Sequence, residues 1–124
     1  MSACAASVDP LAIKIEMVTF DCRDAYALAD WWARQTDGRL EGGSEEDFVS
    51  VVLPGGFRLG FQRVPDPTPG KNKVHVDVQA ASRELEVDRL LAEGALEVAR
   101  HEYGGFAWVT LADPEGNLFD VSEG

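Results

Sequence analysis

The chain holds only two histidines, and one of them stands in a pattern that suits chemistry. In the run VHVDVQ, His75 and Asp77 alternate with valines, so a strand would turn Val74, Val76 and Val78 to one face and His75, Asp77 and Gln79 to the other. An imidazole beside a carboxylate can move a proton or ligate a metal. Near the C-terminal end, LFDVS sorts Phe119 and Val121 against Leu118, Asp120 and Ser122. Parity also puts Phe106 and Trp108 on one face, and large aromatics among polar groups point to a cavity for an apolar ligand. The competing reading, in which His75, Asp77 and Asp120 line a solvated sheet face, fits the same residues. No nucleophile is identifiable. Cys22 falls at a strand end where packing is its ordinary role, Cys4 lies near the N-terminus, and His101 reads as a surface residue.

These residues need strands to hold them. Residues 1–11 read as a loosely held arm, and the run from residue 12 to Cys22 is rich in β-branched and aromatic residues, a first strand with Val18 and Phe20 opposing Met17, Thr19 and Asp21. Asp24 is a helix cap, Leu28, Trp31 and Trp32 recur at helical spacing, and Thr36-Asp37-Gly38 ends the helix. At least one of the two tryptophans should enter the core, because helix neighbours point about 100° apart. Three short strands follow, at residues 39–42, 48–53 and 57–64, with Pro54-Gly55-Gly56 turning the last two. The three prolines in residues 65–71 make a linker. Beyond it the order returns: a strand at 73–78, a helix at 82–93, and strands at 96–100, 106–111 and 117–122. Tyr103-Gly104-Gly105 makes either a hairpin loop or a mobile rim.

A single shift of 58 residues lays the second series on the first. Met17 falls on His75, Asp24 on Ser82, Phe48 on Phe106, Phe61 on Phe119 and Gln62 on Asp120. Two such repeats, residues 12–64 and 72–122, imply two βαβββ modules packed into one α+β domain over residues 12–124. A pseudo-twofold axis would then direct Met17, Gln62, His75 and Asp120 toward one point. A ferredoxin-like βαββαβ fold is the rival and needs fewer strands than the pattern supplies.

Composition narrows the partners. The 124 residues carry 11 Lys and Arg against 22 Asp and Glu, a net charge of −11 that repels nucleic acid and anionic membranes. Charged residues interrupt every apolar stretch well short of a membrane span, and two cysteines are too few for a disulfide scaffold, so a soluble protein of the reducing cytoplasm is expected.

Three segments carry a family resemblance: the opening strand and helix with Asp24 and Trp31-Trp32, the run LGFQRVPDPTPGKNKVHVDV, and the closing GGFAWVTLADPEGNLFDV with its Asp113-Pro114-Glu115-Gly116-Asn117 turn. On these the chain resembles the vicinal oxygen chelate superfamily, in particular the glyoxalase-like domains related to glyoxalase I, bleomycin-resistance proteins and extradiol dioxygenases. The resemblance implies that the two βαβββ modules form an open, cupped mixed sheet, with a divalent metal (Zn, Ni, Fe or Mn) held from the first, fourth, fifth and eighth strands, here Met17, Gln62, His75 and Asp120. Metal-using relatives place His or Gln, Glu, His and Glu there. This chain keeps His75 and a shorter carboxylate in Asp120, offers a neutral amide in Gln62, and has in Met17 a thioether ill suited to hard cations, a donor set that argues against a metal.

Two functions follow from the resemblance. One is a metal-assisted lyase, isomerase or dioxygenase in which His75, Asp120 and Gln62 hold the ion, Asp120 doubling as base. The other is a metal-free protein that sequesters a small organic molecule or antibiotic, with Met17, Phe48, Gln62, Asp77, Phe106 and Trp108 lining its cleft. Homodimers are usual among single-domain relatives of this kind.

Overall fold

The computed structural model describes residues 15–68 and 75–123. The expected arm, the start of the first strand, and positions 69–74, including Val74, lie outside them. The chain divides into two compact units, Met1–Pro67 and Thr68–Gly124, with the boundary inside the proline-rich linker. In the N-terminal unit the order is β1 (Met17–Cys22), α1 (Ala25–Thr36), β2 (Arg39–Glu41), β3 (Phe48–Val52) and β4 (Arg58–Arg63). In the C-terminal unit it is β5 (Val76–Gln79), α2 (Arg83–Ala92), β6 (Leu96–Tyr103), β7 (Phe106–Ala112) and β8 (Leu118–Ser122). Each unit is thus βαβββ, as the sequence predicts, and the protein is α+β.

Both sheets are wired alike, in the orders β1-β4-β3-β2 and β5-β8-β7-β6. The first strand of each pairs parallel with the last, and the remaining contacts are antiparallel. The parallel pair is the step that needs a helical crossover, and α1 and α2 supply it. Asp24 starts α1 by accepting a hydrogen bond from the Ala27 amide, and Ser82 does the same for α2 through the Leu85 amide. Asp37, in the left-handed conformation, closes α1.

The units bury unequal cores. Leu28, Trp31 and Trp32 of α1 are all buried, with Phe20, Val49, Val51 and Phe61 on the sheet face beneath. Both tryptophans enter the core, where their rings meet edge to face with centroids 5.1 Å apart and planes at 81°. Each fully buried side chain of this kind contributes about 1.5–3 kcal/mol. The shorter α2 buries only Val87 and Leu90, over Val109, Leu111, Phe119 and Val121. Its charged flank joins the sheet through Arg100 on β6, which donates to Glu84 on α2 and to Glu97. Neither helix is long and apolar enough to cross a membrane.

The expected gapless shift of 58 holds only for the first half of each unit. It relates the two caps, Asp24 and Ser82, but the β3–β4 and β7–β8 turns repeat at 60. The Leu53 amide donates to the Phe57 carbonyl as Asp113 does to Asn117, and Gly56 to Leu53 as Gly116 does to Asp113. The ladders agree, since Leu59 pairs with Val18 as Phe119 pairs with Val76. The counterpart of Asp120 is therefore Gly60, Gln62 corresponds to Ser122, and Phe48 corresponds to Trp108 rather than to Phe106. Two more residues separate cap from turn in the C-terminal unit, where the long β6–β7 hairpin more than compensates for the shorter helix.

Candidate functional site

In each unit the helix covers one face of the sheet and the other face carries the candidate residues. The C-terminal unit presents His75 and Asp77 from the β5 segment, Leu118, Asp120 and Ser122 from β8, Phe106, Trp108 and Thr110 from β7, and Ala99, His101 and Tyr103 from β6. Direct cross-strand partners share a face, and the register sets Asp77 beside Asp120, Asp120 beside Thr110, Trp108 beside Ser122 and His101 opposite Trp108.

The polar groups form a chain. Thr110 Oγ1 donates to Asp120 Oδ1 at 2.5 Å and lies 3.1 Å from His101 Nε2. A hydroxyl has one proton, so while it donates to the carboxylate it accepts from His101, which must carry its proton on Nε2. At the other oxygen, Asp120 Oδ2 stands 3.4 Å from His75 Nδ1. The Asp120 side chain is only 12% exposed and His75 is 51% exposed, so a nearly buried carboxylate lies beside a half-exposed imidazole. Beside this chain the His101 ring stacks on Trp108 with centroids 4.9 Å apart and planes at 19°, and Phe106 flanks Trp108 at 5.7 Å. An exposed Phe106 and a half-buried Trp108 make an aromatic ledge next to a hydrogen-bond acceptor.

His101 and Thr110 are the members that the sequence reading passed over. A signal for His101 was present: Gly104 and Gly105, at φ 59° and 83°, form a two-residue hairpin turn. Counting back from it sets Tyr103 against Phe106 and His101 against Trp108. The Tyr103-Gly104-Gly105 segment is thus a hairpin, and His101 is part of the ledge.

Met17, Phe48 and Gln62 lie in the N-terminal unit. Met17 and Phe48 converge on Gly60, where an added Cβ would come within 2.8 Å of Met17 Sδ, 2.8 Å of Phe48 Cζ and 2.9 Å of Thr19 Oγ1. The place matching Asp120 thus has no side chain and is filled by a thioether and an aromatic edge. Gln62 is exposed and pairs with Asp21 and Phe48 in the ladder. Near it on the helix side, the buried Cys22 thiol donates to the Gln62 carbonyl, so Cys22 packs, as expected.

The donors fit a divalent ion poorly. Asp120 Oδ1 already accepts from Thr110, His75 Nδ1 is turned to the other carboxylate oxygen, and the counterpart position is glycine. Among the described residues no group of three or more His, Cys, Asp or Glu is gathered as a metal centre would require.

The glyoxalase-like domain family model matches residues 17–122. No protein of curated function matches the sequence. Among solved structures, a glyoxalase/bleomycin resistance protein/dioxygenase family enzyme from Burkholderia phytofirmans is 20% identical with a TM-score of 0.68, covering 86% of this chain and 94% of its own. The fosfomycin resistance protein FosX from Listeria monocytogenes is 11% identical with a TM-score of 0.72, covering 91% and 94%. The bleomycin-binding protein from Streptomyces verticillus, solved with copper(II)-bleomycin, is 16% identical with a TM-score of 0.59, covering 91% and 99%. At these identities the structures share the fold with this chain.

Proposed function

Since the chain belongs to the glyoxalase-like domain family, we propose that it binds a small organic molecule on the open face of its C-terminal sheet, without a resident metal. The observation that carries the reading is the His101–Trp108 stack placed beside Asp120 and bridged to it by Thr110. A flat ligand extends that stack over Trp108 and Phe106 and presents a donor to the carboxylate or to the outer edge of His75. The bleomycin-binding relative supports a sequestering role. The homodimer suggested by the resemblance and the cytoplasmic location suggested by the cysteine count belong to the same proposal.

The His75–Asp120 pair favours a second reading, a lyase or isomerase in which this pair takes a proton from the bound molecule. Titration of aromatic heterocycles into the protein, followed by tryptophan fluorescence, tests the first reading. Saturable one-to-one quenching that Trp108→Ala weakens at least about tenfold is expected, and quenching unchanged in that variant overturns it. Turnover of a bound compound, lost in Asp120→Asn, moves the assignment to the enzyme. Stoichiometric uptake of Ni, Zn, Fe or Mn by protein purified without chelator, lost in His75→Ala, overturns the metal-free reading.

A further inference from the structure

The two faces of the C-terminal sheet divide charge sharply. Three arginines are the only Lys or Arg among the described residues of this unit, and all three serve the helix side: Arg83 bonds Glu84 and the Ala107 carbonyl, Arg89 bonds Glu86, and Arg100 bonds Glu84 and Glu97. The open face holds Asp77 and Asp120, neighbours across the parallel β5–β8 ladder, together with His75, whose Nδ1 lies 3.4 Å from Asp120, and His101, Phe106, Trp108 and exposed Tyr103. Like charges side by side on adjacent strands destabilise a sheet, and here no arginine among the described residues of this unit offsets them. Aromatic faces carry negative quadrupoles and attract cations, and the whole chain, at −11, adds a field of the same sign.

We propose that the ligand of this face is an organic cation: an aromatic or ring-bearing ammonium, amidinium or quaternary nitrogen compound whose ring rests on Trp108 and whose charge sits over Asp77 and Asp120. This rests on the binding reading above and adds the class of ligand to it. Asp120 is held by Thr110 and fixes the seat, whereas exposed Asp77 can follow the cation. Neutralising the carboxylate pair offsets their mutual repulsion, so binding falls as salt screens the field.

Calorimetric titration with three probes sharing one ring system, 1-naphthylmethylammonium, 1-naphthalenemethanol and 1-naphthylacetate, tests the class. The expected order is ammonium over alcohol by about tenfold, with acetate weakest. Asp77→Asn, at an exposed position where the fold is not at stake, should erase most of that preference while leaving the alcohol unchanged. Equal binding of all three probes, lost in Trp108→Ala, overturns the cation class and leaves the binding site standing. A preference for acetate also overturns the class, and a cation preference that Asp77→Asn leaves intact overturns the part assigned to Asp77. If none of the probes binds, the binding reading itself falls and the class with it.

Discussion

Thr110→Val removes one oxygen and keeps the shape of the side chain, which makes it the sharpest probe of the polar chain. The lost hydroxyl is the donor 2.5 Å from Asp120 Oδ1 and the acceptor 3.1 Å from His101 Nε2. His101 is exposed, so water replaces its half of the exchange at little cost. Asp120 is different, because its side chain is 12% exposed and a charged acceptor loses a partner that water replaces only in part. A hydrogen bond to a charged group contributes about 1.5–3 kcal/mol, so the variant should lose about 2 kcal/mol. With a slope of about 1–3 kcal/mol per molar urea, the unfolding midpoint drops by roughly 1 M. Far-UV circular dichroism in urea reads this directly, and Thr110→Ser, which restores the hydroxyl, should recover most of it. The decisive comparison repeats Thr110→Val in an Asp120→Ala background, where the cost should shrink below about 0.5 kcal/mol because the partner is already gone. Additive losses in that cycle would refute the link between Thr110 and Asp120.

Two further outcomes follow from other parts of the structure. Gly60→Ala should destabilise by about 1–3 kcal/mol, since its new methyl presses on Met17, Phe48 and Thr19, and adding Met17→Ala should recover part of the loss in the same urea titration. Arg100 lowers the carboxyl groups of Glu84 and Glu97 from their ordinary value of 4.5, chiefly through its side-chain hydrogen bonds to each. Because the folded values lie below the unfolded ones, this contribution is complete above pH 4.5 and is lost as the pH falls through the folded values. The stability difference between wild type and Arg100→Met should therefore narrow steadily below pH 4.5 and with added salt; a difference that stays constant down to pH 2 would contradict it.

Much of the fold was already written in local pattern. The caps Asp24 and Ser82, the Asp113-Pro114-Glu115-Gly116-Asn117 turn and the valine alternation around His75 each act within a few residues, so they predict two βαβββ units and the face that His75, Asp77 and Asp120 share. Even the pairing of His101 with Trp108 follows from the Gly104-Gly105 turn, had it been counted from there. Parity counted forward from Leu96 gives the opposite side for His101, and only the bulge between Glu97 and Ala99 reconciles the two counts. Sequence spacing likewise matched Asp120 with Gln62, whereas the ladders within each unit make Gly60 its counterpart, because register depends on where strands meet across the sheet and not on distance along the chain. The residue types fixed what chemistry was on offer. Which of them touch, Thr110 between Asp120 and His101 above all, was decided by how β6, β7 and β8 pair, bulge included, and those contacts exist only once the strands have met in that register.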